Sequence, residues 1–175
     1  MKLGSTGEVS QSDVMWRNNS STYIPSPLTY EGRLFTMNDQ GYFSCTDAKT
    51  GDDLFRERLN LNNGSANAEA APAANSSGGR GNGAGPGNGR GGRGGNRGGG
   101  RGGKPVYASP IRVQDRIYAQ TRRQGVAVLA AAPTFKVLAT NKFSDDSTDF
   151  NATPAVSDGN LLLRSNKALY CVGVK

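Results

Sequence analysis

Histidine is missing from all 175 residues. With it go the commonest general base and a frequent zinc ligand, which removes Ser-His-Asp and Cys-His arrangements and most zinc sites. Cysteine occurs only at Cys45 and Cys171, a spacing that makes neither a metal motif nor a disulfide framework. No run of about eighteen apolar residues exists to form a membrane-spanning helix, and Met1-Lys2-Leu3-Gly4-Ser5-Thr6-Gly7 lacks the apolar centre of a secretory signal. Enzymatic chemistry on this chain alone is therefore not expected. Acidic residues are also scarce in one place. Between Gly64 and Lys104, 41 residues hold a single acid, Glu69, against five Arg and Lys104. The same stretch has no aromatic residue and 17 of the 25 glycines. It carries +5 of the chain's +7, so the other 134 residues are nearly neutral at +2.

Residues 64–104 bury too little apolar surface to offset the entropy of ordering, and a disordered Gly/Arg-rich insertion is expected there. Such a loop is tolerated because closure penalises length only slowly. Four Arg-Gly-Gly units start at Arg90, Arg93, Arg97 and Arg101. Arginines in a flexible chain can neutralise phosphates, which makes these four the nucleic-acid candidates of the sequence. The aromatic platforms that usually accompany them are missing.

The nearly neutral remainder alternates apolar and polar residues in short runs closed by Gly, Asp, Asn and Pro, the rhythm of strands and turns. Val126-Ala127-Val128-Leu129-Ala130-Ala131-Ala132, held between Gly125 and Pro133, is too short for an unaided helix and reads as a strand. Three segments repeat. Ser26-Pro27, Ser109-Pro110 and Thr153-Pro154 each open a strand; Gly32, Asp115 and Gly159 follow five residues after the proline; Leu34-Phe35, Ile117-Tyr118 and Leu161-Leu162 come next. The prolines are 83 and 44 residues apart, and removing the 41-residue insertion reduces 83 to 42. A period of 42 to 44 with about four short strands per unit predicts β-propeller blades.

This register fixes further expectations. Trp16 falls where Leu54-Phe55 falls, as the outer strand of a preceding blade. Cys45 and Cys171 occupy matching places in third strands, too far apart to join, and are expected to be small buried residues. Strands then count one, four, four and three, fewer than the four to eight blades of a closed ring. The sequence is expected to be part of a larger propeller, with apolar faces bare at both ends that promote association.

The pattern Ser26-Pro27-Leu28-Thr29-Tyr30-Glu31-Gly32-Arg33-Leu34-Phe35, then Gly41 to Thr46, Asp47-Ala48-Lys49-Thr50-Gly51 and Leu54-Phe55, closely resembles the PQQ-like repeat of quinoprotein-type propellers. Asn151 to Gly159 and Leu169 to Gly173 resemble a final blade of such repeat proteins in bacteria. Asp47 to Gly51 reads independently as a hairpin connection, Asp47 bonding backbone and Gly51 taking the left-handed conformation. The resemblance implies Pro27, Gly32, Asp47, Gly51, Pro110, Pro154 and Gly159 as repeat-defining structural residues. It brings PQQ into view only by family, since no Cys-Cys pair occurs and no residue matches a calcium or catalytic-base position. Non-enzymatic members similar to the BamB type act as interaction scaffolds, in a periplasmic or extracytoplasmic setting.

Asp145-Asp146 with Asp149 lacks the spacing of a calcium loop and reads as a polar connection before the last blade. Asp52-Asp53 with Arg56, Glu57 and Arg58 reads as a solvated outer edge. The combined expectation is an all-β propeller segment of about three blades. Residues 1–63 supply an outer strand and the first complete blade, 64–104 the insertion, and 105–175 the second complete blade and a three-stranded last one. Its role is expected to be a non-catalytic binding or scaffold module without cofactor or metal, partnered by protein or by further blades. Two alternatives stay open: a fragment of a PQQ-dependent oxidoreductase, and an RNA-binding accessory protein working through the Arg-Gly-Gly stretch.

Overall fold

The computed structural model describes residues 10–20, 22–59, 61 and 105–173. The insertion expected over 64–104, with Arg90, Arg93, Arg97 and Arg101, lies outside the described residues. Within them the chain forms three antiparallel sheets. The first comprises β1 (Leu28–Tyr30), β2 (Arg33–Met37), β3 (Tyr42–Asp47) and β4 (Asp53–Arg58). The second comprises β5 (Ile111–Val113), β6 (Arg116–Gln120), β7 (Val126–Ala130) and β8 (Val137–Asn141). The third has β9 (Ala155–Ser157), β10 (Asn160–Arg164) and β11 (Leu169–Val172). Every sheet is a simple meander, the architecture of propeller blades. The segment after Gly125 is strand β7. Among the described residues no helix is long and apolar enough to cross a membrane.

Each first strand starts on the residue after its proline, Pro27, Pro110 or Pro154. Proline cannot donate to a ladder, and it fixes φ at a strand entrance. The first hairpins are two-residue turns with left-handed backbone at Glu31, Gln114 and Asp158 (φ 47°, 54° and 50°). Gly32 and Gly159 follow at φ 71° and 76°, so two of the three have the paired left-handed residues that match strand twist. Asn38, Thr121 and Ser165 then end the second strands at equivalent places, and the side-chain oxygen of each accepts backbone N–H groups of the next turn. The Asp47–Gly51 connection behaves likewise. Asp47 Oδ1 accepts from the N–H groups of Lys49 and Thr50 at 2.8 and 3.0 Å, and Gly51 sits at φ 83°.

Sheets one and two meet over an apolar layer of Phe35, Met37, Phe43, Cys45, Leu59, Leu61, Val106, Ile117, Ala119, Ala127 and Leu129. Each large side chain buried there contributes about 1.5–3 kcal/mol. Sheets two and three meet over a smaller layer, Val126, Phe150 and Leu163 with Tyr118, Phe143, Leu161 and Tyr170 against it. A ladder of hydroxyls also ties the sheets at their inner ends. The Ser26 N–H donates to Ser109 Oγ at 2.8 Å, and the Ser109 N–H donates to Thr153 Oγ1 at 3.0 Å. The residues that begin the repeat in sequence thus bond one another in space.

Three expectations are corrected. Val14-Met15-Trp16 forms no strand; among the described residues before β1 the regular element is a single 3-10 turn, Gln11–Asp13. Trp16 nevertheless docks on the first sheet: its indole N–H donates to the Ala48 carbonyl at 2.9 Å, and its ring lies over Gly51, where a Cβ would come within 2.6 Å. Cys171 is exposed, whereas Cys45 is buried. Both occupy the expected place, paired with Leu162 and Phe35 respectively, but the first sheet is covered on that face by the second, whereas no described residue covers the third sheet there. Finally, the outer face of the first sheet is not apolar. It presents Thr36, Ser44 and Thr46, all buried, with Ser20 Oγ lying 3.4 and 3.5 Å from the hydroxyls of Thr36 and Ser44.

Candidate functional site at the second seam

The seam between sheets two and three differs in kind from the first. Moving 83 residues along the repeat, Phe35 becomes Tyr118, Met37 becomes Gln120 and Phe43 becomes Val126. Beside this seam, between the β6–β7 hairpin and the connection over residues 142–150, lies a cavity of about 170 Å³ with no residue of the third sheet in its lining. Gln120, Thr121, Val126, Asp146 and Phe150 are its buried lining. Arg123, Lys142, Ser144 and Ser147, all exposed, stand at its mouth. Phe143 completes the wall, with ring centroids 5.3 Å from Phe150 and 4.3 Å from Tyr170.

Gln120 is 1% exposed. Its Nε2 donates to the Ala152 carbonyl at 3.2 Å, while its Oε1 is buried without a partner. An orphaned buried acceptor costs about 1–3 kcal/mol. Asp146 is the opposite case. Its Oδ1 accepts from the Thr148 N–H and hydroxyl at 2.8 and 2.6 Å. Its Oδ2 accepts from the Ser165 hydroxyl at 2.5 Å and the Tyr170 hydroxyl at 2.7 Å. These bonds, Ser165 foremost, hold its carboxyl well below the usual range, and the Asp146 bond raises the Tyr170 phenol. Four accepted bonds fill the lone-pair sites of a carboxylate, so Asp146 supplies negative field to the cavity and no further acceptor.

Asp149 pairs with both Arg123 and Arg122. The bond from Arg123 is the main reason its carboxyl lies below the ordinary range. Arg122 also donates from Nε to Asn151 Oδ1 at 2.8 Å, and its guanidinium lies 4.7 Å from the Tyr107 ring centroid. Of the three acids read as a polar connection, Asp146 and Asp149 anchor the third sheet, while the exposed Asp145 carboxylate accepts from the adjacent Ser144 hydroxyl. No group of three or more His, Cys, Asp or Glu able to hold a metal occurs among the described residues.

Of the repeat-defining residues, Pro27, Pro110 and Pro154 lie at the ladder, Gly32 and Gly159 at its adjoining turns, and Asp47 and Gly51 at the outer hairpin under Trp16. None lines the cavity. Gln120 is absent from the sequence candidates although a signal existed: ten residues after each proline stand Met37, Gln120 and Arg164, and only the middle one is a neutral amide in a buried slot.

No protein-family model matches the chain, and no curated protein matches it. The fold is similar to the crystal structure of BamB from Moraxella catarrhalis. That likeness has a TM-score of 0.55 at 13% sequence identity, over 90% of this chain and 36% of that one. It establishes a propeller-type fold, and the chain spans little more than a third of the length of that relative.

Proposed function

We propose that the chain is a non-catalytic binding module, part of a propeller scaffold whose working surface is the face of the third sheet that no described residue covers. One observation carries this reading. The positions that in the first sheet are Phe35, Phe43 and Cys45, covered by the second sheet, are in the third sheet Leu162, Leu169 and Cys171. Leu169 is 69% exposed. The third sheet thus continues an interface that the chain already makes twice, and its occupant is a further antiparallel sheet of the same kind. At the inner end the Thr153 N–H stands where Ser26 and Ser109 each donate to the next hydroxyl, so the incoming sheet should bring a Ser or Thr before its first strand. Three sheets in 36% of the similar chain leave room for roughly eight such units, within the range of closed propellers.

The periplasmic setting implied by the family resemblance belongs to this proposal. The quinone-dependent and RNA-binding alternatives gain no favouring observation from the described residues. Sedimentation tests the module reading: the chain should associate in a concentration-dependent way, and Leu169→Lys should return it to an 18.4 kDa monomer. A wild-type chain that remains monomeric at all concentrations overturns it.

A further inference from the structure

We propose that the sheet received by the third sheet carries an Asp or Glu immediately before its first-strand hydroxyl, and that Arg164 grips that carboxylate. This inference rests on the scaffold reading, since it names the chemistry of the partner sheet which that reading calls for.

Arg164 stands in a row that the other two seams fill differently. Met37, Gln120 and Arg164 each lie ten residues after the proline of their sheet and pair with Phe43, Val126 and Leu169. A covering sheet closes this position to water: Met37 is 0% and Gln120 1% exposed. Arg164 is exposed and has no ion-pair partner among the described residues. By strand alternation Ala155, Leu162, Leu169 and Cys171 share its face, so it is the single charge on an otherwise apolar row. A sheet docking there as the second docks on the first strips water from a guanidinium. A buried cation without a counter-charge is strongly unfavourable, so the incoming sheet must supply one.

The second seam shows where that charge belongs. Gln120 reaches forward there, its Nε2 donating to the Ala152 carbonyl at 3.2 Å, and Ala152 immediately precedes the ladder residue Thr153. Ala108 holds the same place before Ser109, and it is fully buried. One carbonyl serves the N–H of a neutral amide. A guanidinium brings a full charge and several donors in a planar fork that matches a carboxylate. Where the second and third sheets have Ala108 and Ala152, the partner therefore has an acid. A second copy of this chain does not meet that requirement, because its first sheet brings Pro25 before Ser26. Arg164 thus keeps self-association weak and reserves the face for an acidic partner sheet, specificity achieved by leaving the wrong partner with an unpaired charge.

Two measurements on the full chain test this. In sedimentation, Arg164→Met, which installs the first-seam residue, should tighten self-association by about tenfold or more, whereas Arg164→Lys, which keeps the charge, should not. Association of the wild type with no gain in Arg164→Met, or with an equal gain in Arg164→Lys, overturns the inference and leaves the scaffold reading standing. Wild type and Arg164→Met both monomeric at all concentrations overturn the scaffold reading, and the inference with it. The second measurement builds the pair into the existing seam. Gln120→Arg should lower Tm, and adding Ala152→Asp should restore about half of the loss or more, well beyond what Ala152→Asn restores. Equal restoration by Asp and Asn, or none by either, overturns the inference. Should Gln120→Arg alone fail to fold, folding of the Gln120→Arg/Ala152→Asp chain is the restoration, and its failure to fold overturns the inference.

Discussion

The two cysteines show how one repeat position acquires two chemistries. Cys45 is enclosed between sheets, and burial pushes its thiol up to about 11, so almost no thiolate exists at neutral pH. Cys171, at the matching position, is exposed. Iodoacetamide at pH 8 should therefore label Cys171 alone in the native chain, and Cys45 only after denaturant is added; mass spectrometry of the two peptides reads this directly. Simultaneous native labelling would mean that the first seam opens freely. The carboxylates give a second residue-scale test. Asp146 and Asp149 both have folded values below the ordinary carboxylate range, because hydroxyl donors and Arg123 respectively favour their charged forms. Groups depressed in this way add stability that is present above the ordinary value near 4 and is lost as pH falls through the folded ones. Melting temperature should be flat from neutral pH down to about 4 and fall below that. Asp146→Asn should lower the neutral-pH plateau and flatten the acid fall.

At the scale of elements, strand entrances and turns were legible in the sequence because their causes are local. A proline opens each first strand, a left-handed turn follows four to five residues on, and a side-chain oxygen caps the next turn at Asn38, Thr121 and Ser165. What faces what across a seam was not legible. The setting of Gln120, the Ser165 and Tyr170 bonds of Asp146, and the exposure of Cys171 depend on neighbours about 20 or more residues distant in sequence, or on cover from beyond the described residues. Trp16 lies between these cases. It was expected in an outer strand, and it docks instead on the Asp47–Gly51 hairpin from a segment with no strand. The hydroxyl ladder is the feature by which the local repeat becomes tertiary structure, since the same residues serve both. Ser109→Ala removes the acceptor of the Ser26 N–H and should cost about 0.5–1.5 kcal/mol, and Thr153→Val should cost a similar amount through the Ser109 N–H. Chemical denaturation with unchanged m-values checks both. A neutral result in each variant would mean that water replaces the hydroxyls at no cost and that the apolar seams alone hold the sheets together.

At the scale of the whole molecule, the described sheets pack on their sequence neighbours through two separate apolar layers, so their stability is close to a sum of sheet and seam contributions. The two seams are unequal. The first closes over five fully buried large side chains, Phe35, Phe43, Met37, Ile117 and Leu129, and stacks Phe55 edge-on to Phe135 at 5.6 Å between centroids. The second has a smaller apolar layer, an orphaned carbonyl and a cavity beside it, and relies on charged anchors at Asp146 and Asp149. Unfolding should therefore start from the third sheet, which has one neighbour among the described residues and the weaker of the two seams. Native-state hydrogen exchange should show amides of β10 and β11 exchanging faster than those of β2, β3, β6 and β7 by more than tenfold, a difference of about 1.4 kcal/mol in opening free energy. Lowering the pH below about 4 should widen that gap, because Asp146 and Asp149, whose carboxyls are held below the ordinary range by buried or paired donors, belong to the second seam. Gln120→Met should narrow it from the other side, slowing β10 and β11 while leaving β2 and β3 where they were. Equal protection in all three sheets, unmoved by pH or by the substitution, would show that the seams unfold as one unit and that the cavity carries no cost.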